Sequence, residues 1–463
     1  MVSKAAEDIT PQLGKSLRPR HVTMITIGGI IGAGLFVASS ASIATTGPAI
    51  IASYALAGLM MLVVVRMLGE MAVANPHIGT FTEFAREGLG NWAGFTNGWL
   101  YWFNWAIIAA IEALAGARIV HDILPGIPLW VIGWGLLAAL TAVNLMSTRS
   151  YGEFEFWFAS IKVAAIIVFI VLGLAFIAGH SPMNQVSNLY VHGGFSPFGP
   201  TAALSGVVSV VLALSGTEIA TIAAAESPDS ARTVSRMTGS IITRILLFYI
   251  GSISVILMIV PWNQIHPGDS PFTVALEAMH VPAAALGMKL IVLTAVLSCL
   301  NSSIFITSRV LFTLAAHGDA PKALVTLNAR RVPVRAILFS SLAGYAAVFA
   351  SVVSPERVFA FLVNAVGSML LMVYLITALA HVSLRHRLEK TAPERLRFKV
   401  WLFPWLSYGT VAAMVGVLAA MLLITERREE VVSGVAVLAV TVALYGIFRF
   451  GRGRKSTTSP QPS

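Results

Sequence analysis

The chain is short of charge and has almost no cysteine. Of its 463 residues, 11% are charged and 57% are hydrophobic, whereas soluble domains carry about 25% charge. The one cysteine, Cys299, excludes an intrachain disulfide and any cysteine-based metal cluster. It lies in an apolar run and reads as a packing residue. The apolar runs do not alternate with polar residues, which argues against a β-barrel. There is no G-x-x-x-x-G-K-S/T phosphate loop, no H-E-x-x-H and no serine elbow, so no motif signals ATP use or an enzyme. His77, His121, His180, His192, His266 and His280 are scattered through loops and helix ends. No short apolar stretch with a cleavage site precedes the first long run, so no signal peptide is read. Residues 180–200 and 263–288 contain no Lys or Arg.

What is present is a series of apolar runs of about 20 residues, the length at which a helix crosses a bilayer. The chain therefore reads as an all-α, multi-pass membrane protein with lipid as its surroundings. Twelve spans are expected, at 22–43, 50–74, 93–120, 129–145, 156–177, 203–225, 241–260, 290–315, 336–353, 358–379, 402–424 and 431–448. The net charge of +10 sits in the loops between them, as a topology signal and not a nucleic-acid surface. Lys322, Arg330, Arg331 and Arg335 follow the eighth span. Arg385, Arg387, Lys390, Arg395, Arg397 and Lys399 follow the tenth. The positive-inside rule places these loops and both termini in the cytoplasm. The mixed run Glu426-Arg427-Arg428-Glu429-Glu430 is then an outside loop. Residues 1–21 form a cytoplasmic segment and residues 449–463 a cytoplasmic tail, whose last part reads as disordered.

The first span reads I-G-G-I-I-G-A-G-L-F from Ile27 to Phe36. Gly28, Gly29, Gly32 and Gly34 are costly in a continuous helix, at about 1 kcal/mol each. Two readings fit. Such a run packs a helix closely on its neighbour, or it unwinds the helix at mid-bilayer, where broken backbone survives only in a protein-lined or wet cavity. Unwinding exposes amides that suit a carboxylate and carbonyls that suit an ammonium. The sixth span repeats the pattern: Ser215-Gly216-Thr217 interrupts it and Glu218 follows. A mid-membrane carboxylate costs about 2.5 kcal/mol or more and needs a cavity or a partner. Interrupted helices at matching places in two halves point to a transport site between inverted repeats.

Other polar residues lie within the spans. Tyr101, Asn104, Ile108 and Glu112 share a face of the third, and Glu112 is either a proton site or amine ligand, or a structural hydrogen-bonding group. Lys162 in the fifth either snorkels to the interface or points inward in the place of a bound cation. Arg66 and Glu70, four apart in the second, suggest a salt bridge, structural or gating. Ser298, Asn301, Ser302 and Ser303 in the eighth either line a cavity or link helices. Gly318-Asp319-Ala320-Pro321 reads as a helix stop and turn.

These motifs resemble those of bacterial amino-acid permeases in the amino acid–polyamine–organocation superfamily, amino acid transporter family. The resemblance runs nearly end to end. It rests on G-G-I-I-G-A-G-L-F, G-W-L-Y-W-F, Y-G-E-F-E-F-W, G-T-E-I-A-T-I-A-A-A-E, and S-C-L-N-S followed by S-R-V-L. G-W-L-Y-W-F, T-I-A-A-A-E-S, H-G-D-A-P and W-L-F-P-W-L look most like the γ-aminobutyrate permeases. The resemblance implies a leucine-transporter-type fold: a 5+5 inverted repeat, 22–177 and 203–379, plus two helices in 402–448. It implies a proton-coupled importer of a small amino acid, with no cofactor. The substrate carboxylate would meet amides around Gly32, Ala33 and Gly34. The amine would meet carbonyls near Ile30, Leu212 and Ser215, beside Gly216 and Glu218. Glu218 falls on the family's span-six glutamate, and Lys162 on its span-five lysine, near the broken first helix where sodium-coupled relatives hold a cation; with Glu112, read above as a candidate proton site, these are the expected coupling residues. One departure matters: Leu212, Ala213 and Leu214 occupy the segment where the family places an aromatic lid. Either the pocket is wider, or an aromatic from span three or ten closes it. The rival readings are another amino acid as substrate, an exchanger, a non-transporting nutrient sensor and a membrane enzyme.

Overall fold

The computed structural model describes residues 17–456, apart from 29, 30, 33, 77, 79, 181, 200, 215, 217, 220–244, 353–365 and 367. Among the described residues every regular element is helical. In chain order, α1 (Pro19–Gly28) stops at the glycine run, and a π-helical turn at Gly34–Ala38 leads into α2 (Ser39–Thr46). Then come α3 (Ile50–Ala74), α4 (Thr82–Leu89), α5 (Asn91–Ile123), α6 (Leu129–Met146) and α7 (Thr148–Gly179). The short α8 (Pro182–Ser187) precedes α9 (Ala202–Ala213), and a second π-helical turn at Ile245–Gly251 precedes α10 (Ser252–Ile259). The rest is α11 (Pro271–Ala278), α12 (Ala284–Ala316), α13 (Val334–Ala350), α14 (Met369–Thr391), α15 (Trp405–Leu423) and α16 (Thr425–Ser456).

Among the described residues, eight helical stretches are long and apolar enough to cross a membrane: Gly34–Ala74, Asn91–Ile123, Leu129–Met146, Thr148–Gly179, Ala284–Ala316, Met369–Thr391, Trp405–Leu423 and Arg427–Ile447. Shorter apolar helices at Ala202–Val211, Ile245–Ile259 and Val334–Ala350 fall in the expected sixth, seventh and ninth spans. Large apolar side chains such as Trp157, Val171, Leu342 and Phe349 are exposed, whereas Glu70, Glu155, Lys162, Glu218 and Arg309 are buried. That inversion of the soluble pattern is expected where the surrounding solvent is hydrocarbon.

Two local expectations are corrected. The run from Glu426 to Glu430 is not a loop; only Ile424 separates α15 from α16, which already begins at Thr425. Arg427 holds this start by bonding Glu430 three residues on (2.9 Å) and Ser209 of α9 (2.8 Å). Nor do Arg66 and Glu70 pair. Glu70 is buried and bonds Arg385 of α14 (2.7 Å) and the Val400 amide (2.5 Å), with the His381 ring 3.4 Å away. Arg66 lies over the Trp401 ring at 3.8 Å and donates to the Lys399 carbonyl. The spacing put the two on one face, but a buried carboxylate takes the donors that are buried with it.

The α4 segment ties two distant parts of the chain together. Arg86 bonds Glu83 (2.7 Å) within α4 and Asp319 (2.5 Å) in the turn after α12. Trp99 donates to the Asp319 carbonyl. Burial disfavours the Arg86 charge, but Glu83 and Asp319 more than offset this and raise its pKa above the ordinary guanidinium value. The turn at 318–321 is thus a docked turn, with Gly318 at φ +74°.

Candidate functional site

The two interrupted segments meet. A Cβ on Gly34 would lie 3.6 Å from the Ala213 Cα, so the start of the Gly34–Ala38 turn rests on the last residue of α9. Beyond Ala213 the chain leaves the helix: Leu214, Gly216 and Glu218 are in turns, and Gly216 has φ +100°. A non-glycine residue strongly disfavours that conformation, which explains the glycine in S-G-T. Of the expected site residues, Ile30, Ala33 and Ser215 lie outside the described residues, as does Thr217.

Around the first break stand Lys162, Ser298, Glu155 and Glu112. Lys162 of α7 is fully buried and does not snorkel; its Nζ donates to the Ile31 carbonyl and to Ser298 Oγ of α12, both at 2.8 Å. Ser298 in turn donates to Glu155 Oε1 at 2.5 Å. A Cβ on Gly32 would lie 4.0 Å from Glu112 Oε1 and 3.9 Å from Cys299 Sγ. Glu112 thus faces the break, and its Oε2 has no hydrogen-bond partner among the described residues. Cys299, expected only to pack, also borders this space.

Glu218 organises the second break. Its carboxylate accepts from the Tyr101 hydroxyl of α5 (2.9 Å), the Tyr374 hydroxyl of α14 (2.5 Å) and the Gly216 amide (3.1 Å). Tyr249 donates to the Ala213 carbonyl at 3.0 Å. One face of α5 therefore serves both breaks, Tyr101 at Glu218 and Glu112 at Gly32. Asn104, on the same face, is buried with no partner among the described residues. Over the first break, Phe272 of α11 is buried against Phe36 (5.1 Å) and Phe169 (4.8 Å).

The serine cluster of α12 divides its work. Ser298 belongs to the Lys162 network. Asn301 accepts from Asn144 (2.9 Å), Ser302 meets the Tyr151 hydroxyl (3.2 Å), and Ser303 bonds its own helix. The Y-G-E-F-E-F-W motif is explained on this seam. Tyr151 stacks on Phe305 at 4.0 Å. Gly152 admits His21, whose Nδ1 would be 2.8 Å from a Cβ. Glu153 pairs with Arg20 (2.6 Å). Glu155 bonds Ser298. Glu155, Tyr374 and Tyr249 were not singled out from the sequence. For Glu155 the signal was available, a carboxylate two turns before Lys162 in a span. For the tyrosines there was none, since each lies in an apolar run far along the chain from its partner.

Comparison with known proteins follows the same lines. The family described as "Amino acid permease" matches residues 21–453. The γ-aminobutyric acid permease of Bacillus subtilis (strain 168) is 46% identical over 440 residues, covering 94% of each chain. That of Escherichia coli (strain K12) is 41% identical, covering 91% of each. The aromatic amino acid transport protein AroP of Corynebacterium glutamicum is 37% identical, covering 93% of this chain and 94% of its own. Among solved structures, a nucleobase-cation-symport-1 family transporter in a closed conformation with bromovinylhydantoin bound has a TM-score of 0.52 at 16% identity, covering 94% of each chain. That likeness concerns the fold alone. With a family match along nearly the whole length and close relatives in it, this chain belongs to the amino acid permease family.

Proposed function

We propose that this permease imports γ-aminobutyrate, or a small amino acid like it, by proton symport across the cytoplasmic membrane. The observation that carries the reading is the buried Lys162 ammonium on the Ile31 carbonyl. A lysine differs from a bound metal cation in one respect: losing a proton discharges it. A charged ammonium holds a carbonyl more strongly than a neutral amine does, so protonation of Lys162 and the position of the first break are energetically linked. The substrate carboxylate is met by amides at Gly32, Ala33 and Gly34. Its ammonium is met by carbonyls at Ile30, Leu212 and Ser215 and by the open oxygen of Glu112. Glu218, engaged by Tyr101 and Tyr374 and by Gly216, joins the second break to α5 and α14 next to the bound molecule.

The architecture proposed is twelve spans in a 5+5 inverted repeat with two added helices, both termini being cytoplasmic. In that orientation Phe272 seals the outer side, and α4 lies on the inner side. Support for γ-aminobutyrate comes from relatives of that name at 41–46% identity, against 37% for the aromatic permeases.

The test is uptake of radiolabelled γ-aminobutyrate into proteoliposomes, with and without an inward proton gradient, against a panel of unlabelled amino acids. Gradient-driven accumulation, competed best by ω-amino acids and abolished by Lys162→Ala, is expected. Entry of an α-amino acid alone would overturn the substrate. Exchange that ignores the gradient would overturn the coupling.

A further inference from the structure

We propose that Glu155 exchanges the coupling proton with Lys162 through the hydroxyl of Ser298, giving the proton its route between Lys162 and the cytoplasmic end of α7. The inference rests on the proton-symport reading above. Glu155 and Lys162 lie on α7, seven residues and about 10 Å of helix axis apart, and their side chains converge on one atom of α12. Lys162 Nζ donates to Ser298 Oγ at 2.8 Å, and Ser298 Oγ donates to Glu155 Oε1 at 2.5 Å. Lys162, Ser298 and Glu155 are all buried, exposed by 0%, 1% and 0%. A hydroxyl that accepts on one side and donates on the other relays a proton without itself becoming charged.

The transfer balances. An Nζ–H bond of Lys162 breaks as an Oγ–H bond forms, and the original Oγ–H bond of Ser298 breaks as an Oε1–H bond forms. An ammonium and a carboxylate become an amine and a carboxylic acid, so the net charge of the buried pair is zero before and after. The charges that face Lys162 are Glu155 on its own helix, Glu112 on α5 and the titratable Cys299 on α12. Glu155 is joined to Lys162 by a bridge of two hydrogen bonds through Ser298. Beyond Ser298, the Glu155 carboxylate also faces Asn301 and Ser302 of α12, although Glu155 Oε2 and Asn301 Nδ2, both buried, stand outside strict hydrogen-bond geometry among the described residues. Asn301 lies one turn along α12 from Ser298, toward the end of the seam where Arg309 bonds Thr148 (3.2 Å) in the first turn of α7.

The test separates proton movement from substrate movement in proteoliposomes of the full-length protein. One assay is homoexchange of radiolabelled γ-aminobutyrate at equal concentrations on both sides, which needs no net proton transfer. The other is accumulation under an inward proton gradient. Glu155→Gln keeps an acceptor for Ser298 but takes up no proton. It is expected to lower accumulation at least tenfold while homoexchange falls less than threefold, and to flatten the pH dependence of uptake. Ser298→Ala should act the same way, with Glu155→Asp and Ser298→Thr recovering part of the accumulation. Wild-type accumulation in Glu155→Gln overturns the relay. Equal loss in both assays overturns it as well, because that marks a merely structural role. If Glu155→Gln does not fold, the Ser298→Ala and Ser298→Thr pair decides by the same criteria. A wild-type protein that exchanges but never accumulates overturns the proton-symport reading, and the relay falls with it. If the competition panel identifies another amino acid, that one is used as the label in both assays.

Discussion

Glu218 is held by hydroxyls from α5 and α14 and by an amide of its own break. Leaving a buried acceptor without its donor costs about 1–3 kcal/mol. Tyr374→Phe keeps the ring and its packing but removes the bond at 2.5 Å. It should lower unfolding stability in detergent by about 2 kcal/mol, read as a fall in the thermal midpoint. An unchanged midpoint would show that the Tyr374 hydroxyl contributes nothing there. At this scale the sequence was partly legible. The four glycines and Ser215-Gly216-Thr217 marked both breaks, because such residues are costly inside a helix. Lys162 and Glu112 stood out as charges in apolar runs. The direction in which Lys162 points was not legible, since a long flexible stem reaches either way. The pairing of Glu70 was misread because a four-residue spacing tells which residues share a helix face, not which distant residue faces them. Arg385, its partner, is 315 residues away.

At the scale of elements, α4 packs closely against α14. A Cβ on Gly88 would lie 2.6 Å from the Ala380 carbonyl oxygen and 2.9 Å from its Cα. The Ser383 hydroxyl bonds the Gly88 carbonyl at 2.7 Å, and Arg387 reaches Glu87 at 2.5 Å. The obstacle is backbone, which cannot rotate away. Gly88→Ala should therefore push α4 off α14 and destabilise the fold by about 1–3 kcal/mol. Thermal unfolding in detergent checks it, and a wild-type midpoint would mean that α4 is free to shift. The Arg86 clamp on the same helix has a predicted pH behaviour. Its pKa is raised in the fold, so the stability it adds is present throughout the neutral range and is lost only as strong base removes the proton. Unfolding midpoints of wild type and Arg86→Gln should differ by the same amount at pH 7 and pH 9. A gap that closed by pH 9 would exclude the clamp as its source. The helix boundaries were legible to within a few residues for most elements. The exceptions are α7, α14 and α16, which run well past their expected ends into charged sequence. There the charges are satisfied by neighbouring helices, as Arg385 is by Glu70, so polarity does not stop the helix.

At the scale of the whole molecule, the distribution of Lys and Arg makes a prediction about orientation. In a Cys299→Ser background, Lys390→Cys should react with a membrane-impermeant maleimide in inside-out vesicles and not in intact cells. Val191→Cys, at a position 65% exposed, should show the opposite pattern. Reversal of the two would turn the assignment over. The all-helical membrane character was legible from composition, because long apolar runs with little charge leave few alternatives. The neighbourhood of the breaks was less so: contacts such as Tyr101–Glu218 and Glu155–Ser298 join residues 117 and 143 positions apart, and nothing local encodes them.

The Ser298 hydroxyl sits on one helix while both groups it touches sit on another. Hydrogen bonds fail beyond about 3.5 Å, so a slide of about 1 Å between α7 and α12 suffices to open the chain of contacts at 2.8 and 2.5 Å. The serine therefore acts as a ruler laid between two rods. It completes a circuit when the rods are in register and interrupts it when they are not, so the alignment of the bundle is written into whether a single hydroxyl reaches both of its neighbours.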